Sequence, residues 1–152
     1  MSSPLRCVVD ASVGVKPFIP DPFSEKATQL FAHLVHPQTE LFVPDLFYIE
    51  CANTLWKYVR AGYIAAADVQ ADLAQLQALP LQVISTAELM SEAVTMGLDC
   101  GISAYDGCYV ALSKQVEAPL LTLDEKLVSA CAKSASEVYS FERFELPSSP
   151  QV

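Results

Sequence analysis

The sequence predicts an α/β fold: a three-layer α/β/α sandwich with a mainly parallel central sheet. Three observations support this prediction. Short runs of apolar and β-branched residues alternate along the chain with longer segments of helical periodicity. The length of 152 residues suits one domain of ordinary size. No internal repeat or low-complexity segment interrupts the alternation.

Five short segments are predicted to be strands because they are apolar, rich in β-branched residues and too short for helices. They are residues 5–10, 41–43, 81–84, 119–123 and 137–140. We predict a single domain over residues 1–145, followed by a loose C-terminal tail, LPSSPQV, over residues 146–152.

The segments between the strands are predicted to be helices. Asp21 is expected to cap the first of them, with Pro22 as its first helical residue. The next begins near Pro44 or Asp45 and stops at Gly62. The remaining ones are residues 65–79, a helix that opens at Ser85 with a capping box, and two helices that begin near Ser103 and Asp124.

Composition and charge limit the function. At 52% hydrophobic and 18% charged residues the chain is not of a disordered type. Its formal net charge of −9 argues against a broad basic surface for nucleic acid and favours a basic protein partner. Five cysteines without a CxxC pair indicate a reducing compartment. With no signal peptide and no apolar run of membrane length in the sequence, we expect a cytoplasmic protein that does not enter a membrane.

Two aspartates stand where predicted strands end. Asp10 ends the first apolar run and Asp124 ends the run PLLTL. The carboxyl ends of parallel strands meet at one edge of a sheet, and helices that follow strands begin at that edge. Glu50 and Asp106, in the first turns of their predicted helices, are therefore expected at the same edge.

Four converging carboxylates disfavour one another's ionisation, and a divalent cation would remove that repulsion. Oxygen ligands alone select Mg²⁺ or Mn²⁺ rather than zinc. Such ions hold phosphates and activate water, so the chemistry indicated is hydrolysis of a phosphodiester. Each aspartate also has a structural explanation: Asp10 and Asp124 could cap the following helices, and Asp106 could form a capping box with Ser103. Glu50 fits a structural role least well, because it interrupts an apolar helix face.

Four segments resemble successive motifs of the PIN-domain family, most closely its VapC-type toxins: VVDASVGVKPF, PDLFYIECANTLWK, ISAYDGCYVALSK and PLLTLDEKL. The resemblance implies a metal-dependent endoribonuclease of a toxin–antitoxin pair. Its motif acids fall on Asp10, Glu50, Asp106 and Asp124, which would be catalytic and would bind one or two Mg²⁺ or Mn²⁺ ions. Ser12, Thr122 and Asn53 would hold the carboxylates by hydrogen bonds.

The resemblance also implies an RNA substrate, a homodimer and a small basic antitoxin that covers the acidic groove. Two positions depart from the family pattern: Pro17-Phe18 replace a large aromatic after the lysine, and Gly107 stands where alanine is usual. His33 and His36 have HxxH spacing but no further zinc ligands nearby, so we expect exposed or half-buried histidines.

Several interpretations stay open. Lys16, Lys57 and Arg60 could contact RNA phosphates or be simply solvated, and Trp56 is expected to serve the core or a dimer face rather than base stacking. Two other functions remain. One is a non-catalytic PIN-like binding module. The other is an aspartate phosphotransfer protein, against which Ser12 counts, because a second aspartate is usual at that position in the haloacid-dehalogenase type.

Overall fold

The structure is a computed structural model that describes residues 4–148. Within these residues, five strands form one sheet in which every neighbouring pair is parallel. The strands are β1 (Arg6–Val9), β2 (Glu40–Pro44), β3 (Gln82–Ile84), β4 (Leu120–Thr122) and β5 (Val138–Ser140). All five predicted strands and their parallel pairing are confirmed.

The strand order is β3-β2-β1-β4-β5, so the chain starts in the middle of the sheet. It first moves outward through β2 to β3, then returns to the other side of β1 to add β4 and β5. The direction of winding therefore reverses between β1 and β4. In open parallel sheets, such a switch point opens a crevice at the carboxyl ends of the strands, where ligands bind.

Helices cover both faces of the sheet. They are α1 (Ala11–Gly14), α2 (Ser24–Ala32), α3 (Leu46–Arg60), α4 (Ala66–Ala78), α5 (Thr86–Cys100), α6 (Ala104–Val116) and α7 (Glu125–Cys131), with 3₁₀ turns at Lys16–Phe18 and His33–Val35. Right-handed crossovers put α1–α4 on one face and α5–α7 on the other, because the winding reverses after β3. The predicted three-layer sandwich is confirmed.

Gly107 allows α6 to pack closely against α5. It lies on α6 where this helix crosses α5, and a methyl group at position 107 would collide with the backbone carbonyl of Ala93. Because the obstacle is backbone rather than a movable side chain, alanine cannot be accommodated without shifting a helix. The departure from the family pattern at this position therefore has a packing explanation. The structure offers none for Pro17-Phe18.

The predicted cap at Asp21 is wrong. Helix α2 begins at Ser24 with Phe23 at the capping position. Asp21 instead accepts a hydrogen bond from the backbone N–H of Phe23 at 2.9 Å and pairs with the ammonium of Lys16 at 3.1 Å. A short aspartate side chain bonded two residues ahead makes a turn of its own, which delays the helix. Ser85, by contrast, caps α5 as predicted.

His33 is buried rather than exposed or half-buried, so that expectation is wrong; His36 is half-buried. The two ring nitrogens of His33 lie 2.9 Å from the carbonyl oxygen of Gln29 and 3.1 Å from that of Pro147. Leu146, at the start of the predicted loose tail, packs against the core. Residues 149–152 of that tail lie outside the described residues.

All five cysteines are free, and four of them are buried. None of the helices in residues 4–148 is long and apolar enough to cross a membrane.

Candidate active site

Asp10 lies at the switch point of the sheet, directly after β1. It is only 7% exposed. Two hydroxyl groups donate to the same carboxylate oxygen, Oδ2: Ser12 Oγ at 2.8 Å and Thr122 Oγ1 at 2.7 Å. The other oxygen, Oδ1, receives neither hydroxyl. The side chain stands at the capping position of α1 but makes no capping bond, so its structural explanation does not apply.

The two hydroxyl groups also tie Asp10 to the end of β4. Ser12 Oγ accepts from the backbone N–H of Leu123 at 3.0 Å, and Thr122 Oγ1 accepts from that of Asp124 at 3.0 Å. Each hydroxyl thus donates to the carboxylate and accepts from the strand that crosses the switch point. These hydrogen bonds restrict rotation of the Asp10 side chain. We call the arrangement of Asp10, Ser12 and Thr122 the Asp10 clamp.

Glu50 reaches the crevice from the first turns of α3. Its Oε1 accepts a hydrogen bond from Tyr109 Oη at 2.6 Å, and the tyrosine ring is fully buried on α6. Burial, followed by the nearby charges of Asp10 and Glu50, raises the pKa of Tyr109 far above its usual range. Tyr109 therefore stays protonated and donates a hydrogen bond to the Glu50 carboxylate, which links α3 to α6.

Asp106 and Asp124 enter from the first turns of two other helices. Ser103 Oγ caps α6 by accepting from the N–H of Asp106 at 3.1 Å, so the serine makes the cap. Asp124 does cap α7: its Oδ1 accepts from the backbone N–H groups of Lys126 at 3.0 Å and Leu127 at 3.3 Å. Those bonds use Oδ1 alone, so capping fixes the carboxylate without occupying its second oxygen.

The four carboxylates lie within one electrostatic field. Burial is the largest cause that raises the pKa of Asp10, Glu50 and Asp106 above the usual values. The charge of Asp10 raises the pKa of both Glu50 and Asp106, and the charge of Asp124 raises that of Asp10 and Asp106. Hydrogen bonds from Ser12, Thr122 and Tyr109 only partly oppose these shifts. No basic group contributes to any of them.

The donor set fits a hard divalent cation. It consists of carboxylate oxygens, and their mutual repulsion is what such an ion relieves. Within residues 4–148, no three His, Cys, Asp or Glu side chains stand close enough together to hold one ion between them. A Mg²⁺ ion commonly takes one or two carboxylates and completes its shell with water and substrate oxygens. Which of the four acids bind stays a prediction.

Other predicted residues are placed differently. Asn53 is exposed on α3 and makes no hydrogen bond within the part of the chain that the structure describes, so nothing there shows it holding a carboxylate. Lys16 is engaged by Asp21, whereas Lys57 and Arg60 are exposed. Trp56 is 54% exposed, so it does not serve the core.

Tyr109 is the residue of the site that the sequence did not predict. One signal could have identified it. It follows Asp106 by three residues on a predicted helix, which puts both side chains on one face. A buried tyrosine in that position usually finds a hydrogen-bond partner for its hydroxyl.

Fold and site together define a parallel α/β protein with an acidic, oxygen-only site at its switch point. A family model described as "PIN domain" matches residues 7–133. Over 125 residues the chain is 35% identical to Ribonuclease VapC3 of Pyrobaculum aerophilum, an alignment that spans 81% of this chain and 92% of that relative. The chain belongs to the PIN-domain family.

Solved structures agree on the fold. The crystal structure of PAE2754 from Pyrobaculum aerophilum superposes with a TM-score of 0.64 at 20% identity, over 83% of this chain and 79% of that one. A toxin–antitoxin complex from Klebsiella pneumoniae gives a TM-score of 0.63 at 12% identity, over 92% and 99% of the two chains. At these identities the likeness supports the fold alone.

Replacing Asp10 by Asn should stabilise the metal-free protein at neutral pH. Burial raises the pKa of Asp10 in the folded state. The free energy of unfolding therefore falls as the pH rises from the pKa of an unfolded aspartate, about 3.9, through the higher pKa of Asp10 in the folded protein. The asparagine variant escapes that loss while its amide oxygen can still accept from both hydroxyls. In EDTA at pH 7.5 we expect the melting temperature to rise by a few degrees, at about 2–4 °C per kcal/mol. The gain should vanish near pH 4.

The control is Asp68→Asn, which removes an exposed acid from α4. Its melting temperature should follow that of the unmodified chain at both pH values. A less stable Asp10→Asn protein at pH 7.5 would contradict the electrostatic description of the crevice.

Replacing Tyr109 by Phe should raise the pKa of Glu50. The tyrosine hydrogen bond favours the charged carboxylate and holds this pKa down against burial, so its loss shifts the pKa further up. The ring is retained, and we expect a stability loss of only about 1 kcal/mol. Carboxyl-carbon NMR titration of Glu50 measures the shift, with the exposed Tyr105→Phe as the matched control. An unchanged or lower pKa in Tyr109→Phe would show that the bond does not govern Glu50.

Proposed function

We propose that this chain is a metal-dependent endoribonuclease and acts as the toxin of a toxin–antitoxin pair. The Asp10 clamp is the observation that carries the proposal. It fixes a buried carboxylate at the switch point of a PIN-family fold, where three further acids join its field. Burial and the charge of Asp124 both oppose the ionisation of this carboxylate, so a cation bound beside it would relieve a cost that the folded protein carries.

The catalytic residues in this proposal are Asp10, Glu50, Asp106 and Asp124. They would hold one or two Mg²⁺ or Mn²⁺ ions, which supply charge neutralisation at the scissile phosphate and make water more acidic. Glu50 either completes the set of ligands or orients the attacking water, and the hydrogen bond from Tyr109 fixes which way its carboxylate points. Ser12 and Thr122 act through Asp10, which they position.

The proposed partners follow from charge and from the comparisons. A toxin–antitoxin complex shares the fold, and Ribonuclease VapC3 shares 35% of the aligned sequence. A small basic antitoxin would match a chain with a net charge of −9 and would lie over the acidic crevice. Toxin and antitoxin would meet in the cytoplasm, where the free thiols of this chain stay reduced.

The alternatives have less support. A phosphotransfer protein of the haloacid-dehalogenase type needs an acid two residues after Asp10, where this chain has Ser12 hydrogen-bonded to Asp10 itself. A non-catalytic binding module would not need the raised pKa values of three clustered acids. It remains the outcome if the cleavage experiment fails.

Purified protein should cut a mixed RNA pool in Mg²⁺ or Mn²⁺ and should stop in EDTA. Asp10→Asn should lose more than roughly 100-fold of the rate. Ser12→Ala and Thr122→Val should lose about 10- to 100-fold, as residues that position a metal-binding group do. Gel analysis of end-labelled RNA measures the rates.

The matched control for charge is again Asp68→Asn, which should cut at the unmodified rate. If Asp10→Asn cut RNA at the same rate as the unmodified protein, the carboxylates would have no part in the mechanism. If no form cuts RNA, calorimetric titration with Mn²⁺ separates a competent metal site from a binding module. A competent site should bind Mn²⁺ in the unmodified protein and should not bind it in Asp10→Asn.

We also propose that the chain forms a homodimer through α5. Met90, Val94 and Leu98 recur every four residues on this helix, and each is at least half exposed. Such a stripe is what two copies would bury against each other. Sedimentation should give the mass of two chains, and Val94→Lys with Leu98→Lys should give one. A single-chain mass for the unmodified protein would exclude this dimer.

A further inference from the structure

Helix α3 presents a continuous exposed stripe beside the acidic crevice. Ile49, Asn53, Trp56 and Arg60 are spaced by four, three and four residues, which puts them on one side of the helix. All four are exposed, whereas Phe47, Cys51 and Leu55 hold the opposite side in the core. Ile49 lies in the same helical turn as Glu50, so one end of the stripe is at the turn that carries this proposed catalytic residue, and the stripe runs from there along α3.

Half of the cations that are free for a ligand within residues 4–148 lie on α3 itself, the helix that carries the stripe. Of the nine basic residues, five are engaged within residues 4–148: Arg6, Lys16, Lys114 and Arg143 by carboxylates, and Lys26 by backbone carbonyls. The other four have no such partner in this part of the chain: Lys57, Arg60, Lys126 and Lys133. Three of these stand on the helices that carry acids of the crevice, Lys57 and Arg60 on α3 and Lys126 on α7.

Trp56 is an unusual residue to expose at this place. It is the chain's single tryptophan and stays 54% exposed. The guanidinium of Arg60 lies over its ring, 5.2 Å from the centroid. Six residues separate it from Glu50, about 9 Å along the helix axis at 1.5 Å per residue. An aromatic face flanked by cations is the arrangement on which bases of single-stranded nucleic acid stack.

We propose that α3 is a track for single-stranded RNA that leads the substrate to the acidic crevice. A base stacks on Trp56, Lys57 and Arg60 contact the adjoining phosphates, and the strand passes Glu50 toward Lys126 on the far side. The inference rests on the proposed ribonuclease function and adds the residues of α3 that would recognise the RNA. A single strand is required because stacking on a side chain needs a base that is free of its own stack.

The charge of the stripe favours RNA over a protein partner. A basic antitoxin would bring like charges against Lys57 and Arg60, which disfavours binding. A second copy of the chain already has the apolar stripe of α5 as its proposed contact. RNA supplies a phosphate for each exposed cation of the stripe. Because the chain has a net charge of −9, RNA is expected to approach it where cations such as Lys57 and Arg60 are free of carboxylate partners within residues 4–148.

The single tryptophan makes a direct test possible. Asp10→Asn protein in EDTA, which should bind RNA without cutting it, is titrated with a single-stranded RNA of about 12 nucleotides. Trp56 emission should be quenched in a saturable manner by this RNA and much less by the corresponding duplex. The same dissociation constant should appear in the anisotropy of a fluorescein label on the RNA.

Variants then locate the contact. Lys57→Ala with Arg60→Ala should lower the slope of log affinity against log salt by about 1.4, at about 0.7 per phosphate contact. The matched control is Lys114→Ala with Lys133→Ala, which removes the same charge beside a pocket lined by Ala118 and Glu137 at the opposite edge of the sheet and should leave the slope unchanged. Trp56→Ala should bind about tenfold more weakly, and Trp56→Phe should restore most of the affinity.

Three results would overturn the track. One is equal RNA affinity and salt slope in the α3 variants and the control pair. Another is a lack of RNA binding by every form. The third is a Trp56 emission spectrum that does not change with RNA but shifts with protein concentration. This result would assign the stripe to contacts between copies of the chain. Failure of the ribonuclease proposal is distinguishable, because unmodified protein would then bind RNA through Trp56 and leave it uncut in Mn²⁺.

Discussion

The hydrogen bonds that join Asp10 to Ser12 and Thr122 are the interaction on which the rest of the site depends. They connect the end of β1 to the end of β4 across the one place where the winding of the sheet reverses. Each hydroxyl makes two hydrogen bonds: it donates to the carboxylate and accepts from a backbone N–H at the end of β4. Because both hydroxyls hold Oδ2 of Asp10, Oδ1 can contact a ligand without movement of the side chain. The N-terminal ends of α3, α6 and α7 bring the remaining acids to the same edge of the sheet, so sheet topology and site geometry have a common origin.

The cost of this arrangement explains its chemistry. Burial and neighbouring like charges raise the pKa of three of the acids, and no basic side chain contributes to offsetting them. A purely structural site would have been neutralised by lysine or arginine, as Lys16 and Asp21 neutralise each other elsewhere in the chain. A divalent cation from solution would relieve the repulsion among these acids. The proposed phosphodiester hydrolysis would use that cation, and Lys57 and Arg60 on α3, which have no carboxylate partner within residues 4–148, would offer a path by which an anionic substrate could approach.

Local patterns were sufficient for the sheet and for the position of the acids. Runs such as LRCVV and PLLTL can be read as strands because each is short, apolar and followed by a helical pattern, and parallel pairing then brings Asp10 and Asp124 to one edge. What the sequence could not give depends on contacts between distant segments. The bond from Tyr109 to Glu50 spans 59 residues, and the burial of His33 depends on the carbonyl of Pro147, 114 residues away. The wrong cap at Asp21 has a local cause, because an aspartate can close a turn as readily as it starts a helix.

The most direct test of the carboxylate site is the position of Mn²⁺ in crystals of the full chain, located by its anomalous scattering. An ion held by the clamp should give a peak beside Asp10, on the side of the carboxylate that Ser12 and Thr122 do not contact. The peak should be absent from crystals of Asp10→Asn grown and soaked identically. A peak that persists in that variant, or Mn²⁺ bound elsewhere while the crevice stays empty at saturating concentration, would contradict the assignment of these acids to a metal-dependent reaction.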